Sequence, residues 1–199
     1  MIRAIVFDIG WVFVHLNPQP ILDCLLEHDC ESLDLHTLIA RVRFSEHETG
    51  RMSGYGFLEE VAALTRRPAA LDLLHSKWLD MFELQPRMVD LAHRLSEQYR
   101  VYLLSNIGDL HWAHLSREYG LHRIGHGALP SFVAGAMKPD AAIYAEAERR
   151  FELEPRTTVF IDDREENVAA ARARGWQAIE HSGYHSTVAA LRALNVKVT

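Results

Sequence analysis

Aspartate, serine, asparagine and lysine stand at four places in this chain where a strand or loop should open into a helix, and these are its residues best suited to chemistry. Asp8 follows Ala4-Ile5-Val6-Phe7, Ser105-Asn106 follows Val101-Tyr102-Leu103-Leu104, and Asp162-Asp163 follows Thr158-Val159-Phe160-Ile161; Lys138-Pro139 is the fourth. In a parallel sheet the carboxyl ends of the strands share one edge, so residues about 150 positions apart can meet there. A carboxylate nucleophile, hydroxyl and backbone anion binders, an ammonium group and paired carboxylates form a set suited to phosphoryl transfer.

Each cluster also has a purely structural explanation. Asp8 could close its strand as a turn residue or helix cap. Asp162 and Asp163 repel each other unless a cation or hydrogen-bond donors neutralise them, which points to a hard divalent ion. Asp163 could instead cap a helix running through Glu165, Glu166 and Asn167. Ser105 and Asn106 could cap a helix, with Asp109 close behind, or bind phosphoryl oxygens at its N-terminus. Pro139 holds Lys138 extended and suits the first turn of the next helix. Lys138 is also the one basic residue between His126 and Arg149, where the sheet edge calls for a counter-charge. The four together are far more specific than any one.

The elements that must position these residues follow from hydrophobic periodicity. Ile2 to Phe7 is a nearly continuous apolar run, as in a strand covered on both faces, and it is expected at the centre of the sheet. Asn17-Pro18-Gln19-Pro20 breaks the chain, and from Ile21 to about Glu83 apolar residues recur at helical spacing, as in Leu22, Leu25 and Leu26 or Phe57, Leu58, Val61 and Leu64. After Pro86 a helix through Leu91 and Leu95 leads into Val101-Leu104, and strand-helix alternation continues. Further strands are expected at Thr157-Ile161 and Gln177-Ile179, with helices at Ala141-Arg150, Glu165-Arg174 and Thr187-Leu194. The predicted fold is α/β: a Rossmann-like three-layer core with a parallel sheet, formed by residues 1–16 and 87–199, and a small helical cap inserted at 17–86. Trp78, Phe82 and Tyr55 of the cap are expected in its core.

Length and composition agree with one core plus a modest insertion: 199 residues, 48% hydrophobic. A net charge of −6 without basic runs argues against a nucleic-acid partner. There is no Gly-x-Gly-x-x-Gly or Walker phosphate loop. The N-terminus lacks the pattern of a secretory signal and no apolar stretch approaches membrane-spanning length, so no membrane partner is expected. Cys24 and Cys30 lie six apart in a helical pattern, poorly placed for a disulfide, and a cytoplasmic setting is expected.

The order of these motifs resembles the haloacid dehalogenase-like hydrolase superfamily along nearly the whole chain. Phe7-Asp8-Ile9-Gly10-Trp11-Val12 is similar to its nucleophile motif, Leu104-Ser105-Asn106 to its second, Met137-Lys138-Pro139 to its third and Ile161-Asp162-Asp163-x-x-x-Asn167 to its fourth. Within the superfamily the chain looks closest to glucose-1-phosphatase-like sugar phosphatases and the phosphatase domain of epoxide hydrolases, to which the cap segment His47-Glu48-Thr49-Gly50-Arg51-Met52-Ser53 contributes. The resemblance implies a Mg²⁺-dependent phosphatase acting on a small phosphorylated metabolite, with a sugar phosphate the expected class, as monomer or homodimer. Asp8 would form an aspartyl-phosphate. Mg²⁺ would be held by Asp8, the Gly10 carbonyl and Asp163, with Asp162 assisting directly or through its neighbours. Ser105, Asn106 and Lys138 would bind the phosphoryl oxygens, Lys138 would also tether Asp8, and Asn167 would orient the metal side.

One departure matters. The family usually carries a second Asp two residues after the nucleophile to protonate the leaving alkoxide and later activate water, and here that position is Gly10. A metal-binding carbonyl survives there, but the acid does not. His15, near the flap Val12-Phe13-Val14, and His47, in the cap, could stand in for it or contact substrate. Trp11 could pack beneath that flap or line the substrate entrance. His111 and His114, three apart on a helix, could share a face but lack further metal ligands. Two other readings stay open: a 2-haloacid dehalogenase, which needs no metal, and a catalytically silent binding protein.

Overall fold

Short runs of Ile, Val and Phe form buried strands, each passing the chain to a helix that covers one face of the sheet they build. The computed structural model describes residues 1–31 and 34–198. Strand β1 (Ala4–Phe7) leads through a buried turn to β2 (Val14–Leu16). Five helices follow: α1 (Gln19–Glu27), α2 (Leu35–Ala40), α3 (Phe44–Glu48), α4 (Gly54–Ala62) and α5 (Leu71–Leu79). Strand β3 (Phe82–Leu84) brings the chain back to α6 (Pro86–Ser96), β4 (Arg100–Ser105) and α7 (Asp109–Tyr119). Then come β5 (Ala128–Pro130), α8 (Ser131–Ala134), α9 (Ala141–Phe151), β6 (Thr158–Asp162), α10 (Glu165–Ala173), β7 (Gln177–Glu180) and α11 (Tyr184–Ala193).

The five-stranded sheet is parallel throughout, in the order β5-β4-β1-β6-β7, so β1 is central as its apolar run requires. Period-two alternation splits its side chains between two cores. Ile5, Phe7, Val101 and Leu103 pack against Leu91 and Leu95 of α6, Leu115 of α7 and Leu191 of α11. Val6, Tyr102, Leu104 and Phe160 pack against Ile143, Tyr144 and Ala147 of α9 on the other face. The cap helices bury a third cluster of their own, with Ile21, Leu25, Leu38, Phe57, Val61 and Trp78 at its centre. Among the described residues, no helix is long and apolar enough to cross a membrane.

Local chemistry sets several boundaries. Pro86 opens α6, whose missing N–H costs nothing there, and Met88, Leu91, Ala92 and Leu95 line its buried face at helical spacing. Ser53 caps α4 by accepting from the Gly56 N–H at 3.2 Å, which contributes about 1 kcal/mol. Gly120, at φ 67°, ends α7 in the left-handed conformation.

The structure corrects some expected elements. The helical stretch stops at α5: Phe82–Leu84 is a strand that pairs antiparallel with Val14–Leu16, Leu84 opposite Val14 and Leu16 opposite Phe82. The Asn17 N–H donates to the Met81 carbonyl at 2.8 Å and the Gln85 N–H to that of Phe13 at 2.7 Å, so the cap leaves and returns side by side. Helix α9 begins at Ala141 behind Asp140, whose carboxylate accepts from the Ala142 N–H at 2.9 Å, so Pro139 precedes the helix rather than opening it. Cys30 lies beyond α1, and both cysteines are buried free thiols. Trp78 is buried as expected and Phe82 partly so, whereas Tyr55 is exposed and stacks on His75.

Cap and core meet along a close seam. A Cβ at Gly108, just before α7, would lie 2.1 Å from Nε2 of His47, and one at Gly50 would lie 2.3 Å from the Phe132 carbonyl oxygen. At Gly50, which also has a φ of 71°, the obstacle is backbone and only glycine fits; at Gly108 it is the His47 ring, which would have to shift. The buried Ser131 hydroxyl donates to the Glu48 carbonyl at 2.6 Å and accepts from the Ile107 N–H at 2.9 Å, tying α3 to the loop after β4. A run of rings crosses the same seam, from His47 to Phe57, Trp78 and His111, with centroids 4.7 to 4.8 Å apart.

Candidate active site

At the carboxyl edge of the sheet the four polar clusters come together around one lysine. Nζ of Lys138 lies 2.9 Å from Oδ1 of Asp8 and 2.5 Å from Oδ2 of Asp162. All three residues are buried: Asp8 closes β1, Asp162 is the last residue of β6, and Lys138 comes from the loop before α9. Burial alone would push the ammonium down, but the two carboxylates outweigh it and hold Lys138 above its ordinary range. For Asp8 burial dominates and pushes its carboxyl up to about 6, while Lys138 pulls the other way and Asp162 adds to the rise.

The two adjacent aspartates do different work. Asp162 is engaged on both oxygens: besides Lys138 on Oδ2 it accepts from Nδ2 of Asn167 and from the Arg164 N–H, both at 2.9 Å on Oδ1. Asn167 is buried in turn, and its carbonyl accepts from the Tyr144 hydroxyl at 2.9 Å. Asp163 is half-buried, and burial and the neighbouring Asp162 raise its carboxyl. It does not cap α10, whose start carries no side-chain cap. Oxygens of Asp8, Asp162 and Asp163 lie within 4.8 Å of one another. An all-oxygen set in which two acids are raised by burial suits a hard divalent ion, which would reverse both shifts. Asp162 already holds three donors, and Asp8 holds Lys138 and the Ile9 N–H, both on Oδ1, so Asp163 faces the fewest competing donors.

Ser105 ends β4, buried, with its hydroxyl directed at Asp8. Asn106 is committed elsewhere. Its Nδ2 donates to the Lys138 carbonyl at 2.8 Å while its Oδ1 accepts from the Lys138 N–H at 2.7 Å, clamping the lysine loop to the sheet edge. Neither residue caps α7, which starts after Gly108, so any phosphoryl contact from Asn106 falls to its backbone N–H.

Asp8, Ser105, Asn106, Lys138, Asp163 and Asn167 line the floor of a cavity of about 470 Å³ between core and cap, with Asp162 buried beneath them. Its opposite wall is largely apolar, formed by Leu16, Leu35, Ile39, Phe44, Met81 and Phe82. Trp11 lines it too. It is 49% exposed, rests on His15 and has a backbone φ of 57°, so it does not pack beneath the flap. His15 is exposed on β2 and does not line the cavity. His47 is pinned in the seam, stacked on Phe57 with Nδ1 3.7 Å from Asp109, and burial lowers its pKa. Neither histidine occupies the place of the missing acid. His111 and His114 form no metal pair: Nε2 of His111 lies 2.9 Å from the Trp78 carbonyl, and burial lowers its pKa to about 3.

Sequence reasoning missed Glu48. It stands at the end of α3, buried, and reaches the same cavity as Asp8, Ser105 and Lys138. Burial pushes its carboxyl up to about 8, with the negative charge of Asp8 adding to the rise and the Gly108 N–H, directed at it, opposing. The sequence signal was its place in the cap segment His47 to Ser53 that contributes to the family resemblance, and nothing in that segment says which way the side chain faces.

The sequence profile of haloacid dehalogenase-like hydrolases matches residues 28–175. A D-ribitol-5-phosphate phosphatase of Bacteroides thetaiotaomicron is 26% identical over 190 residues, covering 90% of this chain and 92% of that protein. A sesquiterpene phosphatase of Aspergillus oryzae is 24% identical over 194 residues, covering 96% of each. Among solved structures, an enzyme of the same superfamily from B. thetaiotaomicron, in complex with magnesium and inorganic phosphate, superposes with a TM-score of 0.83 at 20% identity over 92% of this chain and 96% of its own.

Proposed function

Because the chain belongs to the haloacid dehalogenase-like hydrolases, we propose that it is a Mg²⁺-dependent phosphatase that passes the phosphoryl group of a small phosphorylated metabolite to Asp8 and then to water. The observation that carries this reading is the division of labour between Asp162 and Asp163. One fixes Lys138 beside Asp8, and the other stays available for a cation. In this assignment Asp8 attacks phosphorus and the P–O bond to the alcohol breaks. Ser105, the Asn106 backbone N–H and Lys138 hold the non-bridging oxygens at the buried sheet edge, where hydrogen bonds and charge act strongly. Asp8, Asp163 and the Gly10 carbonyl would hold Mg²⁺, which would offset the repulsion between carboxylate and phosphate and orient the latter. Asp162 and Asn167 keep Lys138 in place.

The organic part of the substrate has two readings. A sugar or polyol phosphate is favoured by the likeness to the D-ribitol-5-phosphate phosphatase. The phosphate of a less polar alcohol is favoured by the cavity wall, because a polyol facing Leu35, Ile39, Phe44 and Met81 would lose hydrogen bonds to water without replacing them. The sesquiterpene phosphatase is a relative on that side.

The test is phosphate release from an aryl phosphate, a panel of sugar and polyol phosphates and a panel of alkyl phosphates, with a chelator control. Asp8→Asn should abolish turnover, on the order of a 10⁵-fold loss. Metal-independent halide release from 2-haloacids, with no phosphate released, would overturn the phosphatase reading in favour of the dehalogenase one.

A further inference from the structure

We propose that Glu48, reaching across the seam from the cap, is the general acid and base that Gly10 cannot supply. This rests on the phosphatase reading above. The ionisable side chains lining the cavity are Asp8, Glu48, His111, Lys138, Asp163 and Arg164. Asp8 is the nucleophile, and Asp163 belongs to the cation. Lys138 is engaged by two carboxylates, and Arg164 is exposed and paired with Glu166. His111 directs Nε2 at a carbonyl, which can only accept, so that nitrogen carries the proton and its other nitrogen is bare. A neutral histidine held that way has no proton to give. Glu48 is the one group left.

Its surroundings fit the task. Glu48 is 5% exposed, on a helix whose end is tied to the core by the Ser131 hydroxyl. The ammonium of Lys138, held by Asp8 and Asp162, is the weakest influence on it. Burial, the largest influence on it, keeps it protonated near neutral pH, as an acid must be before the alcohol departs. Nor does the backbone explain the glycine at position 10. A Cβ there would meet only Leu16 Cδ1, at 3.8 Å, so the chain has given up a side chain it had room for.

The proton balance closes over two steps. As an oxygen of Asp8 bonds to phosphorus and the ester P–O bond breaks, Glu48 gives its proton to the departing alkoxide and becomes a carboxylate. A water then attacks phosphorus of the aspartyl-phosphate, Glu48 takes a proton from it, and phosphate, free Asp8 and protonated Glu48 are restored.

The experiment compares wild type with Glu48→Gln, a neutral mimic of the protonated acid, using the Mg²⁺-loaded full chain. The substrates are a nitrophenyl phosphate, whose leaving group needs no proton, and an alkyl phosphate, whose leaving group does. kcat/KM reads the chemistry up to departure of the alcohol. For the alkyl ester it should fall on the order of 10²- to 10⁴-fold, while for the aryl ester it should change less than about tenfold. A burst of nitrophenol equal to the enzyme concentration should also appear in Glu48→Gln, because dephosphorylation has lost its base. Gly10→Asp added to Glu48→Gln should recover much of the alkyl-ester activity. Equal losses on both esters would mean that Glu48 only packs the seam, and no loss on either would mean that it is idle; both overturn the assignment. Turnover of the aryl ester by wild type and not by Asp8→Asn reports separately on the phosphatase reading.

Discussion

Beneath the floor of the cavity Asp162 takes three hydrogen bonds, and Lys138, Asn106 and Asn167 of the floor itself are each held by partners of their own. Across from it the apolar wall carries little polarity: among the described residues, Nε1 of buried Trp78 has no partner, and the Gly108 N–H is directed at the Glu48 carboxyl. The floor is rigid because its groups are charged, buried and mutually satisfied. The wall is shaped by side-chain volume alone. Such a division suits a hydrolase whose invariant task is to hold one phosphoryl group while the rest of the substrate varies.

The largest effect that would break this contrast is at Asp162. Asp162→Asn keeps the shape but leaves Lys138 with a single carboxylate, and disrupting a buried pair in this way costs about 3 kcal/mol; denaturant unfolding should show that loss. Equal stability would mean that the floor is less interdependent than its geometry indicates.

Next in size is the seam. In Gly108→Ala the new methyl would strike the His47 ring, and forced overpacking costs about 1 to 3 kcal/mol. His47→Ala should recover part of it, and thermal unfolding of the single and double variants measures this non-additivity. Purely additive losses would mean that the two residues do not compete for space.

A smaller effect distinguishes the wall by pH. His111 titrates near 6.5 when unfolded and near 3 when folded, with Trp78, His47 and His114 facing it. Its depressed pKa means that the unfolded chain binds the extra proton. Its contribution is thus full above 6.5 and fades as pH falls toward 3, with a slope of at most about 1.4 kcal/mol per pH unit. His111→Phe should flatten stability against pH in that window, and an unchanged slope would place the titration elsewhere.

Trp11→Ala should act least, raising KM for substrates with an apolar body by roughly three- to tenfold, as one lost hydrophobic contact would, with kcat and stability nearly unchanged. The same shift for a small, fully polar phosphate ester would remove Trp11 from recognition.

How much of this was legible in the sequence depended on distance along the chain. Asp8, Ser105 and Asp162 were legible because each ends a run of buried apolar residues, and strand ends in a parallel sheet converge whatever lies between. Which of two adjacent aspartates would meet Lys138 was not, since it turns on the facing of a single residue at the end of β6. The pairing of β2 with β3 was hidden because three-residue strands carry too little alternation to stand out, and β5, closing in Pro130, reads as loop. Trp11 was ambiguous because a left-handed φ at a non-glycine residue has no sequence signature. Glu48 was out of reach for a different reason: its importance comes from facing Asp8 across a cavity that the cap creates.

The side-by-side departure and return of the cap has a mechanical consequence. With β2 and β3 zipped together, the sheet sees a junction of fixed width, whatever chain is spliced beyond it. Lengthening a spliced segment twofold adds only about 0.6 kcal/mol of closure entropy. A lid of another length or sequence spliced at this junction would therefore leave the sheet edge, and the residues it holds, where they are.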